Sequence, residues 1–520
     1  MTPRQNRLEQ IQQFVVTAEQ MQAIEGRAFA AGMPVAALME KVAGLITRRV
    51  QALYPLSTHP KVGVLVGPGH NGGDALVVAR ELHLDGYEVI LYRPFSKLKE
   101  LTEQHAQYAE SLGIPTVEQV EALQACDFLI DGLFGFGLER SLADSIAEAV
   151  NQINQWLMPV VSIDLPSGLH TDTGAALGTA IQATRTLCLG LWKLGLLQDN
   201  ALEYVGSAEL IDFGLPLVDI EAVLADFPRI YRITARSAIA NLPLPRPATT
   251  HKYKMGHLLA ICGSHRYTGG AILTALGARA SGVGMLSVAV PESIKPLLSA
   301  QLPEALIIGC PETSSGAIAQ LPDSVDLSDY NTIACGPGLT MDASAVIERV
   351  IASDRPLVLD ADGLNVLAQA GTIPTLTQRK APTVLTPHFG EFKRLFPAIA
   401  EGMTNRAIAV REAAQQTGAV VLLKGARVAI ANPNGTVWIN PASTPALARG
   451  GSGDVLTGLI GGLLAQDVLQ SAPVEAAVQT GAWWHAEAGI LAAQERTELG
   501  VDAFTLTQYL IPALRSDLET

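Results

Sequence analysis

Three stretches in the first half of this 520-residue chain set oxygen-bearing side chains directly after apolar runs. They are Asn71-Gly72-Gly73-Asp74, Asp131 at the head of a glycine-rich loop through Gly137, and Asp164-Leu165-Pro166-Ser167-Gly168. Glycines let backbone N–H groups approach a phosphate at a helix start, while Asn and Asp add oxygens of their own. Gathered in one place, Asn71, Asp131 and Asp164 suit a hard cation, ligand hydroxyls or general-base chemistry. Gly67, Gly69 and Gly72 also satisfy G-x-G-x-x-G, a weak pattern alone, and Asp74 read by itself could be a plain helix N-cap. In the second half, Gly450-Gly451-Ser452-Gly453-Asp454 opens a helical stretch. The N–H groups there form an anion hole, and Asp454 can take a proton from a hydroxyl that attacks or receives phosphate. The bland alternative is an ordinary acid at a helix start. Lys424-Gly-Ala-Arg-Val428 follows a strand and suits phosphate or ribose contacts. His388 and Glu391 share a strand-to-helix loop, Asp360, Asp362 and Asn365 another, and Gly336 and Gly338 form a glycine turn.

These residues need a scaffold that aims them. Strand candidates in the first half are Lys61–Gly67, Tyr87–Arg93, Phe128–Asp131, Val160–Asp164, Thr184–Gly190 and Ala208–Phe213, with helical periodicity over Thr17–Ala31, Val35–Leu53, Asp74–Asp85, Leu101–Leu112 and Ser141–Trp156. Such alternation predicts an α/β fold with a largely parallel sheet, whose strand C-termini share one edge. Pro243, Pro245 and Pro247 break the rhythm, so a domain boundary is expected near 220–245. A second series runs from His257–Cys262 through Val420–Leu423, then a hairpin turning at Asn432-Pro-Asn-Gly435, and closes with helices Asp454–Gln466 and Val474–Gln494.

Composition bounds the setting. Hydrophobic residues are 48% and charged residues 17%, enough apolar material for large cores and too much for disorder. Lys plus Arg (36) less Asp plus Glu (50) gives −14, which argues against nucleic-acid grooves and anionic membranes. The polar start lacks a signal-peptide core, and Val455–Ala465 falls short of the ~20 residues a bilayer span requires. Five scattered cysteines without a CxxC pair suit reduced thiols in a cytoplasm. The expected partners are small molecules, with a homo-oligomer left open.

Over residues 11–217 the chain resembles the NAD(P)H-hydrate epimerase (YjeF N-terminal) family, on the three loops quoted above. The resemblance implies a Rossmann-like three-layer αβα domain. In it Asn71, Asp131 and Ser167 hold potassium (K+), Asp164 is catalytic, and His70, Asn71, Gly72, Gly73, Asp74, the loop Gly135, Phe136, Gly137, Leu138, Glu139, Arg140 and Ser141, and Asp164 line the hydrated nucleotide. The family usually has a second Asn where this chain has His70. Over residues 228–514 the chain looks like the ADP-dependent NAD(P)H-hydrate dehydratase family, a ribokinase-like α/β fold. That likeness implies that Ala271, Gly338, His388 and Asp454 contact the hydrate. Lys424, Gly425, Ala426, Arg427, Val428 and Gly453 would contact ADP, with Mg2+ bridging its phosphates and Asp454 as the base. Arg449 stands where members commonly carry threonine. Together the likenesses imply a bifunctional repair enzyme acting on NADHX and NADPHX: R and S hydrates are interconverted, and the S form is dehydrated as ADP becomes AMP and phosphate. The rival reading is a ribokinase-like small-molecule kinase with a dinucleotide-sensing first domain.

Overall fold

A computed structural model describes residues 3–142 and 144–518. The chain divides into two compact units, Met1–Arg229 and Ile230–Thr520.

In the first unit seven strands form one parallel sheet in the spatial order Thr116–Val117, Glu88–Tyr92, Lys61–Val66, Phe128–Gly132, Val160–Ile163, Arg185–Leu189, Ser207–Ile211. Helices His70–Leu84 and Glu100–Ser111 lie between the early strands in sequence, as the alternation predicts. Chain order reverses between Lys61–Val66 and Phe128–Gly132. Their following loops diverge there and leave a crevice, the usual ligand position in open α/β sheets. The strands are short and apolar because both faces are covered; Phe128–Gly132 and Val160–Ile163 are buried along their whole length. A short pair, Phe14–Val16 with Trp192–Lys193, was not visible as strand periodicity. The helix expected from Ser141 runs Asp144–Ile153, and Ala143 lies outside the described residues.

The second unit repeats the plan. Its sheet runs Leu306–Cys310, Met285–Pro291, His257–Ile261, Thr332–Cys335, Leu357–Leu359, Thr383–Leu385 and Val420–Leu423, all parallel, followed by the antiparallel strands Val428–Ala431 and Val437–Asn440. Ile230–Arg232 then pairs in parallel with Val437–Asn440. Here the order reverses between His257–Ile261 and Thr332–Cys335.

Helix Ser452–Gln470 is buried from Val455 to Asp467 almost without interruption, so it packs as a core element rather than an amphipathic one. It lies against helix Thr268–Ala280 through glycines on both sides. A Cβ on Gly458 would sit 1.8 Å from the Thr274 carbonyl oxygen, and one on Gly277 would sit 2.1 Å from that of Val455. The two backbones are in contact, and the pair aims the start of each helix at the reversal point. Gly458→Val is therefore expected to lower stability by about 1–3 kcal/mol through overpacking. Chemical denaturation followed by the emission of Trp483 and Trp484, both buried in this unit's core, reads it; an unshifted midpoint would show that the helices part without cost.

Candidate active sites

The first crevice encloses about 820 Å³ and is lined by His70, Asn71, Asp74, Gly135–Glu139, Asp164 and Lys193, with Glu25 on helix Ala18–Ala30. Its floor depends on close backbone approach. A Cβ on Gly67 would lie 1.7 Å from the Leu133 oxygen, and one on Gly72 1.9 Å from the Gly67 oxygen, so only glycine fits either position. The helix after this turn begins at His70 with Gly69 as its N-cap, which removes the plain capping role for Asp74. Asp74 instead faces the crevice one turn in. Burial, then the charges of Asp164 and Glu25, push its carboxyl well above the usual range.

Asp131 and Ser167 lie beneath the lining, fully buried. Asp131 accepts from the Ser167 hydroxyl at 2.6 Å, the Ser162 hydroxyl at 2.8 Å and the Ser167 N–H at 2.9 Å. Burial raises its carboxyl, and these hydrogen bonds oppose that. The Ser167 hydroxyl also accepts from the Phe134 N–H at 2.8 Å, which ties the glycine loop to the next strand's loop. The Asn71 amide nitrogen is buried without a hydrogen-bond partner among the described residues. Its Oδ1 would lie 3.2 Å from a Cβ on Gly135, and Asp164 Oδ2 would lie 3.3 Å from the same point, so Asn71 and Asp164 flank one spot. Arg140 and Ser141 are exposed and outside the crevice lining, and Gly72 and Gly73 serve packing beneath it.

Asp164 sits at φ +69°, a left-handed conformation that a non-glycine residue adopts at a cost and that marks functional sites. Its carboxylate accepts from the Phe136 N–H at 3.1 Å and the Leu189 N–H at 3.2 Å, and forms a short ion pair with the Lys193 ammonium. Lys193 is completely buried and lies 5.7 Å from the centre of the Phe136 ring. Burial opposes the Lys193 charge, but Asp164 and neighbouring groups outweigh it and the ammonium titrates above its ordinary value. Lys193 escaped the sequence reading although a signal existed: it is the only charged residue in the apolar run Leu187–Leu197.

In the second unit the loops at the reversal point meet through the Gly263 N–H, which donates to the Pro337 oxygen at 2.8 Å. Helix Ser452–Gln470 begins at Gly451, φ +90°, and carries Asp454 in its first turn. A Cβ on Gly270 would lie 3.2 Å from Asp454 Oδ2 and 3.9 Å from the Gly338 Cα. Asp454, the start of the helix bearing Ala271, and Gly338 therefore share one spot. Burial first, then the Asp360 charge, raise the Asp454 carboxyl to about 7, with Lys424 opposing.

Lys424 donates to Asp360 Oδ1 at 2.7 Å, and Thr457 donates to Asp360 Oδ2 at 2.7 Å. The ammonium would lie 3.2 Å from a Cβ on Gly453, directly at the helix start where an anion would sit. Gly425 and Ala426 are exposed and Arg427 half-buried at the turn that follows. His388 lies farther off. It caps helix Phe389–Leu395, its Nδ1 accepting from the Gly390 N–H at 2.9 Å, so in the neutral ring the proton is on Nε2. Its link to the cluster is Glu391, 3.5 Å from His388 Nε2 and 4.0 Å from Lys424. Arg449 turns away and donates to the Leu499 oxygen at 2.9 Å.

Breaking the first-unit ion pair leaves a buried carboxylate without its counter-ion. Lys193→Met is expected to cost about 3–5 kcal/mol, and Lys193→Met/Asp164→Asn distinctly less, since Asn tolerates the left-handed backbone. Urea unfolding of both variants reads the difference; equal stability would mean the pair is not desolvated.

Two family profiles match the chain: "YjeF-related protein N-terminus" over residues 35–195 and "NAD(P)H-hydrate dehydratase" over residues 258–512. The bifunctional NAD(P)H-hydrate repair enzyme Nnr of Synechocystis sp. is 57% identical over 501 residues, covering 96% of this chain and 95% of that protein. The enzyme of the same name from Thermosynechococcus vestitus is 54% identical over 504 residues, covering 97% and 98%. Among solved structures, an ADP/ATP-dependent NAD(P)H-hydrate dehydratase from Bacillus subtilis, co-crystallised with ATP and Mg2+, is 33% identical over 55% of this chain and 98% of its own, with a TM-score of 0.47. Identity of this order along nearly the whole length, with both halves matched, settles the kinship: the chain belongs to the family of bifunctional NAD(P)H-hydrate repair enzymes.

Proposed function

We infer that the chain repairs hydrated nicotinamide nucleotides. The first unit interconverts the R and S hydrates of NADH and NADPH. The second dehydrates the S form, coupled to conversion of ADP to AMP and phosphate. The observation that carries this reading is the full-length kinship joined to a carboxylate set at the sheet reversal of each unit, Asp164 in the first and Asp454 in the second. Among the described residues no helix is long and apolar enough to cross a membrane, and the five free cysteines are all buried; a cytoplasmic setting accords with both.

In the first unit Asp164, ion-paired with Lys193, takes the proton of the ring hydroxyl. His70, Asn71, Asp74 and the loop from Gly135 to Glu139 surround the nucleotide. The donors at Asn71, Asp131 and Ser167 suit a potassium ion. They are hard oxygens, one of them a buried carboxylate. Bound there, the ion would supply positive charge beside the glycine loop. Asp131→Asn keeps the side-chain size but removes the charge and one acceptor oxygen, so potassium stimulation of epimerisation should disappear. Rates titrated with KCl read this; a stimulation identical to that of the unaltered protein would rule out the cage.

In the second unit Asp454 removes the hydroxyl proton and the oxygen takes the terminal phosphoryl group of ADP. Lys424 and the N–H groups of the Gly451–Gly453 turn hold the phosphates, and Mg2+ arrives with the nucleotide. Phosphate then leaves, driven by the ring nitrogen, and loss of a proton from the adjacent ring carbon to the departing phosphate restores the dihydronicotinamide. Asp454 must be ionised to act, so kcat/KM for dehydration should be lost as pH falls through about 7. Asp454→Asn should slow dehydration about 10²-fold or more and leave epimerisation intact. Supplied with pure R hydrate and ADP, this variant should accumulate S hydrate without forming NADH. Normal NADH formation would refute the role of Asp454, and a phosphorylated small molecule released instead would refute the repair reading.

A further inference from the structure

Epimerisation at the hydroxyl-bearing ring carbon moves two protons, one at oxygen and one at ring nitrogen, yet the assignment above provides a group for only one. Helix Ala18–Ala30 brings a second. Its N-terminus is fixed by the Thr17–Gln20 capping box and by the Ala18 N–H donating to Asp172 at 2.8 Å, on the loop that follows Ser167. Its other end is held by Arg27 pairing with Asp219 at 2.9 Å. Met21 and Ile24 are fully buried on its inner side. With both ends tied, Glu25 faces the crevice that also holds Asp164 and Lys193, and among the described residues no protein donor hydrogen-bonds its carboxyl.

We propose that Glu25 is a catalytic residue of the epimerase, the acid that complements Asp164. As the carbon–nitrogen ring bond breaks, Asp164 takes the proton from the hydroxyl, which becomes an aldehyde oxygen. The bonding pair moves to the ring nitrogen, which receives the proton of Glu25. The aldehyde turns about its single bond, the nitrogen attacks its other face, and both protons return to their donors. No oxidant, water or further reactant enters. This assignment rests on the reading of the first unit as an epimerase.

The electrostatic setting supports the role. Burial first raises the Glu25 carboxyl to about 7; the ammonium of Lys193 lowers it and the charge of Asp164 raises it further. Asp74 on the neighbouring helix is itself raised by Glu25. Around the same crevice stand Glu19 on the same helix, His70, Lys99 and Glu139, while Asp219 is engaged by Arg27. Two carboxyls set apart in this way, one ion-paired and one pushed toward neutrality, divide the tasks of base and acid.

The full-length chain carrying Glu25→Gln, and separately Glu25→Asp, is tested on pure R hydrate, with ADP-dependent dehydration of S hydrate as the control for intact protein. Glu25→Gln should slow epimerisation about 10²-fold or more, chiefly in kcat. It should also abolish the fall in rate expected of the unaltered chain as pH rises through about 7. Glu25→Asp should recover part of the rate and keep that fall. Normal epimerisation by Glu25→Gln, or a slowed rate that still falls over the same pH range, overturns the proposal. Asp164→Asn separates the levels. If it abolishes epimerisation while Glu25→Gln does not, only the role of Glu25 fails. If the unaltered chain does not epimerise, the reading of the unit fails.

Discussion

Close approach of backbone to backbone at the two sheet reversals is the constraint on which the rest depends. Parallel strands put their C-termini on one edge, and where chain order reverses the loops part and leave a gap. The gap becomes a site only if neighbouring turns can nearly touch. At the first reversal Gly67 and Gly72 permit this, and at the second Gly336 does, where a Cβ would fall 1.8 Å from the Asp360 oxygen. A side chain at any of these positions would separate the turns that carry Asn71, Asp131 and Asp164, or those that carry Gly338 and Asp360. The glycines of helices Thr268–Ala280 and Ser452–Gln470 extend the same principle to the helix starts, and so place Asp454.

Upon this geometry both units impose the same charge arrangement. Each buries a lysine against an aspartate, Lys193 with Asp164 and Lys424 with Asp360. Each also sets near the pair another carboxyl that burial lifts to about 7, Glu25 in the first and Asp454 in the second. A carboxyl in that range exchanges protons readily at neutral pH, while the paired lysine fixes an ammonium beside a carboxylate in a region of low dielectric. The shared arrangement accords with the proton transfers proposed for the two units. The difference lies at the helix starts. In the second unit the lysine stands over an open helix N-terminus, which favours phosphate; in the first it lies beneath an aromatic ring, beside the crevice wall.

The departures from the family pattern bear on the rims of these sites. His70 lines the first crevice, and burial and then Lys99 lower its ring, which favours the neutral form there. Arg449 is engaged with the Leu499 oxygen and leaves the anion position to Lys424 and the backbone.

Local pattern in the sequence determined the alternation of strand and helix, the parallel sheets and the acid-bearing turns, because hydrophobic period and glycine placement act over a few residues. Asn71, Asp131, Asp164, Gly453 and Asp454 were legible for that reason: each stands beside a turn that announces itself. Tertiary structure alone decided the rest. Lys193 reaches Asp164 across 29 residues and Lys424 reaches Asp360 across 64, and Glu25 belongs to the first crevice only because its helix is tied at both ends to distant loops. It also decided that Asp74 faces the crevice rather than capping its helix, since the helix begins four residues earlier than the periodicity suggests. Charge placement and proton affinity depend on burial and on neighbours far away in the chain, and neither leaves a local period to read.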